Sequence, residues 1–136
     1  VSIESEIYTR LTTHAGLSVL VSTRVYPWTE VPQEPTYPFV TYHLVSAPRP
    51  HAMGVDAGVV MAMFQFNVWA EDDEVGTAGY DAMLAAKDQL RLALQRWRTT
   101  SGTIVQDTFL ENESDDSDPV LESHGRRFDA RIIYEE

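Results

Sequence analysis

The sequence predicts an α+β fold: a four- to five-stranded, mainly antiparallel sheet with one long and one short helix packed on one face, all within a single domain over residues 1–136. Three observations carry that expectation. Phe39 to Ser46 and Val59 to Ala70 are rich in β-branched and aromatic residues and read as two long strands, joined by a connection too large for a tight turn. From about Glu74 to Arg98 apolar residues recur at helical spacing, and from Phe128 to Tyr134 they alternate sharply.

From the N-terminus, Ser2 is placed to cap a short helix in which Ile3, Ile7 and Leu11 recur every four residues. Glu4 and Glu6 lie in its first turn, where the helix dipole favours acids. The pattern breaks at His14-Ala15-Gly16, and Leu17 to Val21 fits either a short second helix or an extended connector. Arg24 to Trp28 reads as a short strand that Pro27 confines to an edge or ends. Val31 to Pro38 contains Pro32, Pro35 and Pro38 between flanking aromatics, which fits an ordered, extended crossing. It leads into the two long strands, whose connection, Ala47 to Gly58, is a polar and irregular loop. Loops of that length in compact domains are usually functional or mobile.

Alternation sorts the second strand into a core face of Val60, Ala62, Phe64, Phe66 and Val68 and a mixed face of Val59, Met61, Met63, Gln65, Asn67 and Trp69. Asp72 or Asp73 is expected to cap the long helix. Its stripe is Gly79, Ala82, Met83, Ala86, Leu90, Ala93, Leu94 and Trp97, with Gly102 as a candidate breaker beyond it. Thr103 to Leu110 follows as a strand and Glu111 to Asp118 as an acidic loop at a hairpin tip. Pro119 to Tyr134 returns as the last strand. Phe128, Ala130, Ile132 and Tyr134 point inward, Arg127, Asp129 and Arg131 point outward, and Gly125 is a candidate bulge.

Composition narrows the functional classes. With 43% hydrophobic and 23% charged residues the chain is globular, and at 136 residues it buries roughly two-thirds of its unfolded surface. There is no cysteine, which excludes disulfides, thiolate metal sites and a cysteine nucleophile. No apolar run reaches the ~20 residues of a membrane helix and no signal-peptide core opens the sequence, so a soluble domain without a membrane partner is expected. The formal net charge is −11, from 21 acids against 10 bases, and Lys87 is the sole lysine. That argues against a surface that grips nucleic acid, but an acidic wall would let DNA slide past without sticking.

Catalytic and cofactor signatures are not found. There is no G-x-S-x-G elbow and no Gly-rich phosphate loop. His14, His43, His51 and His124 are scattered, without the spacing that builds a zinc site on a helix; His43 fits a half-exposed position on the mixed sheet face. The Glu111 to Asp118 run lacks the glycine and terminal glutamate of an EF-hand. The expectation is a protein that is not an enzyme and needs no cofactor or metal. Geometry then carries the reading: the helices cover one face of the sheet and leave the other with Phe39, Val45, Met61, Met63, Trp69 and Ile133. That face, with the outward Arg127 and Arg131, is a candidate subunit interface; the alternative is a solvent face with ordinary scattered apolar residues.

The order of elements resembles the tail-completion or tail-terminator proteins of long-tailed phages and gene-transfer particles. The resemblance rests on Arg24-Val25-Tyr26-Pro27, Pro38-Phe39-Val40-Thr41-Tyr42 after the Pro-rich crossing, and Phe64 to Ala70 before the long helix. The closing Arg127 to Tyr134 strand completes it, so that nearly the whole chain is covered. The acidic run and the long Ala47 to Gly58 loop do not match the family pattern. The resemblance implies a structural virion protein assembled in the host cytoplasm: a homo-oligomeric ring, typically a hexamer, at the head-proximal end of the tail. Such a ring stops tube polymerisation, joins tail to neck, contacts the tail tube protein and the head-tail connector, and lets DNA pass without specific binding. A head-side connector of the same particle, or a small-molecule-binding or enzymatic α+β domain, are the rival readings. Two residue-level expectations follow. Arg49, His51, Met53 and Asp56 of the loop should order against a partner, and Glu111, Glu113, Asp115, Asp116 and Asp118 should line or rim the channel.

Overall fold

A computed structural model describes residues 2–71, 79–116 and 123–136. The chain runs α1 (Ile3–Thr13), α2 (Ala15–Val21), β1 (Val25–Pro27), β2 (Phe39–Ser46), β3 (His51–Ala52), β4 (Val55–Asp56), β5 (Val59–Glu71), α3 (Gly79–Leu94), β6 (Val105–Asp115) and β7 (Ser123–Glu135). The main sheet has five strands in the order β1-β2-β5-β7-β6. Only β1 and β2 are parallel; the other pairs are antiparallel, as the sequence predicts. The expected caps Asp72 and Asp73, the helix start at Glu74, Asp118 and the strand start at Pro119 lie outside the described residues.

The core follows the two periodicities. On β5, Val60, Ala62, Phe64, Phe66 and Val68 are all buried, and they face Phe128, Ala130 and Ile132 of β7 across the pleat. The helices lay their stripes on this face: Ile3, Ile7 and Leu11 from α1, Leu17 and Val21 from α2, and Met83, Ala86, Leu90, Ala93 and Leu94 from α3. The Ser2 hydroxyl accepts from the Ser5 N–H at 3.1 Å, giving α1 the expected cap. The Arg10 side chain reaches from α1 to donate to the Ala93 carbonyl at 2.8 Å, satisfying an acceptor in the last turn of α3.

The structure corrects the sequence reading in several places. Leu17 to Val21 takes the helical of its two alternatives, so two short helices and not one accompany the long one. The long helix ends at Leu94, before the expected Arg98, because Arg96 adopts a left-handed backbone with φ of 60° and donates its N–H to the Thr108 carbonyl at 2.8 Å. Trp97 stays in phase with the stripe yet reaches the core from the turn that follows. Gly125 makes no bulge: β5 and β7 pair without a break from Val59↔Glu135 to Glu71↔Ser123. The register shifts lie on the outer strands instead, at Leu44/Ser46, Val105/Asp107 and Leu110/Asn112. Glu111 to Asp115, expected as loop, extends β6 along the sheet edge. The connection from Ala47 to Gly58 is not irregular throughout, because β3 and β4 pair as a small hairpin.

Candidate interaction surface

Among the described residues the helices leave one sheet face uncovered, and side chains at alternate positions of four strands meet on it. Met61, Met63 and Trp69 from β5 and Arg127 and Arg131 from β7, the residues the sequence nominates as an interface, are all half-buried there. Phe39, Thr41 and His43 of β2 stand opposite Trp69, Asn67 and Gln65. This is the face whose pleat alternates with the core.

A groove of about 470 Å³ opens at the Trp69 end. One wall is aromatic: Trp28 lies 5.3 Å from the His43 ring, and Tyr37 lies 5.1 Å from Phe39, centroid to centroid. The Pro-rich crossing brings Val31 and Tyr37 to this wall, and Tyr26 packs on Phe39 at 6.1 Å. Phe39 is therefore buried although it belongs to the uncovered face. The floor is polar and internally paired. Gln65 donates to Asn67 at 3.1 Å, Asn67 donates to the Asp116 carboxylate at 2.7 Å, and the Trp69 indole N–H faces the Thr41 hydroxyl at 3.4 Å. Such pairing holds the floor side chains in place, so a guest meets a preorganised surface.

Gly125 sets the position of Trp69. A methyl group at residue 125 would stand 2.7 Å and 2.8 Å from the Trp69 ring atoms Cζ3 and Cε3, and 3.1 Å from the Asp116 carbonyl. The indole thus packs directly over the backbone of the neighbouring strand, an approach only glycine permits. A second depression of about 460 Å³ lies nearer the sheet centre, between Val45, Met63, Glu111, Arg127 and Asp129. Arg131 pairs with Glu111 at 3.1 Å, and Arg127 donates to the Ser114 hydroxyl at 3.1 Å.

The acidic run is dispersed over both faces of the sheet edge. Glu111 turns to Arg131 on the uncovered face, and Asp116 to Asn67 in the groove floor. Glu113 turns to the helix side, where it pairs with Arg126 and, at 3.4 Å, with Lys87. Much of the run's charge is met by partners within the subunit, which the one-dimensional reading of ENESDDSD missed because the arginines come from another strand.

The Ala47 to Gly58 segment forms an arm at the opposite end of β5 from the groove. Its root is pinned: Arg49 donates twice to the Glu136 carboxylate at 2.8 and 2.7 Å, Met61 N–H to the Pro48 carbonyl at 2.9 Å, and Glu136 N–H to the Gly58 carbonyl at 2.9 Å. Arg49 holds the Glu136 carboxyl below the usual carboxylate range. Beyond the root, His51 pairs with Asp56 and Ala52 with Val55 in the β3-β4 ladder, and Gly54, with φ of 82°, closes the turn. Met53 at the tip is 102% exposed and Val55 67%. Of the four nominated arm residues, then, Arg49 anchors the root, His51 lies in the ladder and Met53 forms the tip. The Asp56 side chain lies outside what the structure describes.

Among the described residues no group of three or more His, Asp or Glu side chains is arranged to hold a metal ion, and no helix is long and apolar enough to cross a membrane. The groove offers a guest aromatic stacking, apolar contact and hydrogen bonding.

The fold and this surface define a two-layer α+β structural module, with helices on one side of a sheet and a paved sheet face on the other. The chain belongs to the family described as Tail completion protein gp17, whose profile matches residues 5–135. It is thereby a component of a phage-type virion tail. Among solved structures, 28 chains match. One of them, from the "Virion of native gene transfer agent (GTA) particle", is 18% identical with a TM-score of 0.76. That match covers 96% of this chain and 92% of the other, and it extends the likeness in fold to nearly the full length of both. No protein of curated function matches.

Proposed function

We propose that the protein forms a homo-oligomeric ring, with six as the expected number of copies, at the head-proximal end of a virion tail. There it ends polymerisation of the tail tube and joins the tail to the neck. The observation that carries this reading is membership of the tail completion family over residues 5–135, in a fold whose uncovered sheet face holds an ordered groove. The role is structural and not catalytic. Met61, Met63, Trp69, Arg127 and Arg131 contact an adjacent copy, and the remaining exposed surface meets the tube below and the neck above.

With a net charge of −11 per subunit, acids turned to the lumen of the assembled ring repel the phosphate backbone and let DNA pass without specific binding. The acids at the end of β6, Glu111, Glu113 and Asp115, together with Asp116 and Asp118, contribute to that rim, tempered by the arginine pairing of Glu111 and Glu113. The test is loss of the protein from a particle-producing strain. Tails of uncontrolled length that fail to join heads are expected; tails of normal length on joined heads would refute the assignment.

A further inference from the structure

β6 is the last strand of the sheet and is 11 residues long, so its backbone groups that do not bond to β7 point away from the sheet. The opposite edge strand, β1, has 3 residues and ends at Pro27. A long edge is a template on which another chain can add a strand. Along the first half of β6, the protein's own backbone already occupies that place.

The segment Gln95 to Thr99 leaves α3 and runs beside β6. Arg96 N–H donates to the Thr108 carbonyl at 2.8 Å, and Thr99 N–H to the Val105 carbonyl at 3.0 Å. Two side chains stand in for backbone acceptors: Gln95 Oε1 accepts from the Leu110 N–H at 3.1 Å, and the Thr99 hydroxyl from the Val105 N–H at 2.7 Å. The Thr108 N–H turns to the Asp107 carboxylate at 2.9 Å. Val105, Thr108 and Leu110 therefore have outward groups engaged before another strand arrives.

The segment is fastened at several points. Trp97 is buried in the core, and its carbonyl accepts from the Thr108 hydroxyl at 3.0 Å. The Arg96 and Arg98 guanidiniums share the Asp107 carboxylate, and Arg96 lies 4.9 Å over the Phe109 ring. The strand itself is irregular where the cover begins and ends, since its register against β7 shifts at Val105/Asp107 and Leu110/Asn112. Bulges and a covering loop are both ways in which sheet edges are blunted. Beyond Leu110 the strand carries Glu111, Glu113 and Asp115 at alternate positions, and charge is another such device.

From these observations we infer that the Gln95–Thr99 segment is an edge guard: it closes Val105 to Leu110 against strand addition by a second copy of this chain. Copies held at high local concentration then meet through other surfaces, without extending one sheet into the next across β6. The inference goes beyond the ring reading and does not depend on it, because it concerns a contact that the subunit prevents.

Two substitutions at one residue test it. Arg96→Pro and Arg96→Gly both take the guanidinium from Asp107 and Phe109, but only proline removes the N–H bonded to Thr108 and forbids the φ of 60°. In sedimentation at rising concentration, Arg96→Pro is expected to self-associate about tenfold more tightly than Arg96→Gly. Its Val105, Thr108 and Leu110 amides should gain protection from hydrogen exchange as it does so. Equal association of the two variants, or association that leaves those amides unprotected, overturns the guard.

If Arg96→Pro does not fold, the double variant Gln95→Ala with Thr99→Val decides, since it keeps Trp97 and both backbone bonds and removes only side-chain partners. At low concentration its Val105 and Leu110 amides should exchange about tenfold faster than in the wild type, with Ile132 unchanged, and slow again as concentration rises. Thr99→Ser, which keeps the hydroxyl, should exchange at Val105 as the wild type does. Wild-type exchange in the double variant, or fast exchange that concentration does not slow, overturns the inference.

Discussion

Gly125→Ala is the sharpest single probe of the uncovered face, because its effect runs through one identified side chain. The added methyl would lie 2.7 Å from Trp69 Cζ3 and 2.8 Å from Cε3, well inside van der Waals contact. Either the indole tilts out of the groove floor, losing its approach to Thr41, or the β5-β7 ladder spreads at one of its thirteen-residue strands. Overpacking of this kind costs about 1–3 kcal/mol, which for a domain of this size lowers the melting temperature by about 3–10 °C. The control is the same substitution on a Trp69→Val background. With the indole gone, alanine in place of glycine gains about 0.5–1 kcal/mol of strand preference, partly offset by the Asp116 carbonyl at 3.1 Å. The cost of Gly125→Ala should therefore fall to near zero or reverse. Urea unfolding of the four proteins of this cycle gives the coupling directly. An equal cost of Gly125→Ala in both backgrounds would refute the account of how Trp69 is seated.

Other expectations concern the core, the edge and the turn after α3. Phe66→Ala should lose about 3–5 kcal/mol in chemical denaturation, since Phe66 is fully buried in the sheet-helix core. Arg131→Ser, which breaks a partly exposed pair with Glu111, should change stability by no more than about 1 kcal/mol while impairing assembly if the face is an interface. The Asp107 carboxyl is held down to about 2 from its ordinary 3.8, chiefly by its hydrogen bonds to Arg96. A depressed carboxylate stabilises the fold above about pH 4 and loses that contribution as pH falls through about 2. The melting-temperature gap between the wild type and Asp107→Asn should accordingly be constant near neutrality and close below about pH 4; a gap unchanged down to about pH 2 would contradict the role given to this pair.

Much of the fold was legible because its signals are local and repetitive. The alternation of Val60 to Val68 and of Phe128 to Tyr134 assigns two central strands and their inward faces, and Ile3, Ile7 and Leu11 place α1 on the core. Where the reading failed, a long-range contact overrode a local pattern. The α3 terminus is set by Arg96, whose N–H bonds to β6 and whose guanidinium is held by Asp107 and lies 4.9 Å over the Phe109 ring. None of these partners is visible in the helical periodicity. Gly125 resembled a bulge because glycine in a strand has two common explanations, and the ring that required it comes from the neighbouring strand.

The candidate surface was legible as a set of positions, not as a shape. Met61, Met63, Trp69, Arg127 and Arg131 follow from alternation alone. The aromatic wall needs Trp28 and Tyr37, which only the fold of the Pro-rich crossing brings beside Phe39 and His43. The aromatics flanking the prolines were the available signal. The acidic run illustrates the same limit: its sequence shows a block of charge, and the sheet sends Glu111 and Glu113 to arginines on opposite faces.

The central claim, a ring of this chain at the head-proximal end of the tail, is tested most directly by averaged electron micrographs of particles. The particles carry the protein with a density tag at its N-terminus. The account predicts tag density confined to one ring where the tail tube meets the neck. Density along the tube, at the distal tip, or on the head side of the connector would contradict it.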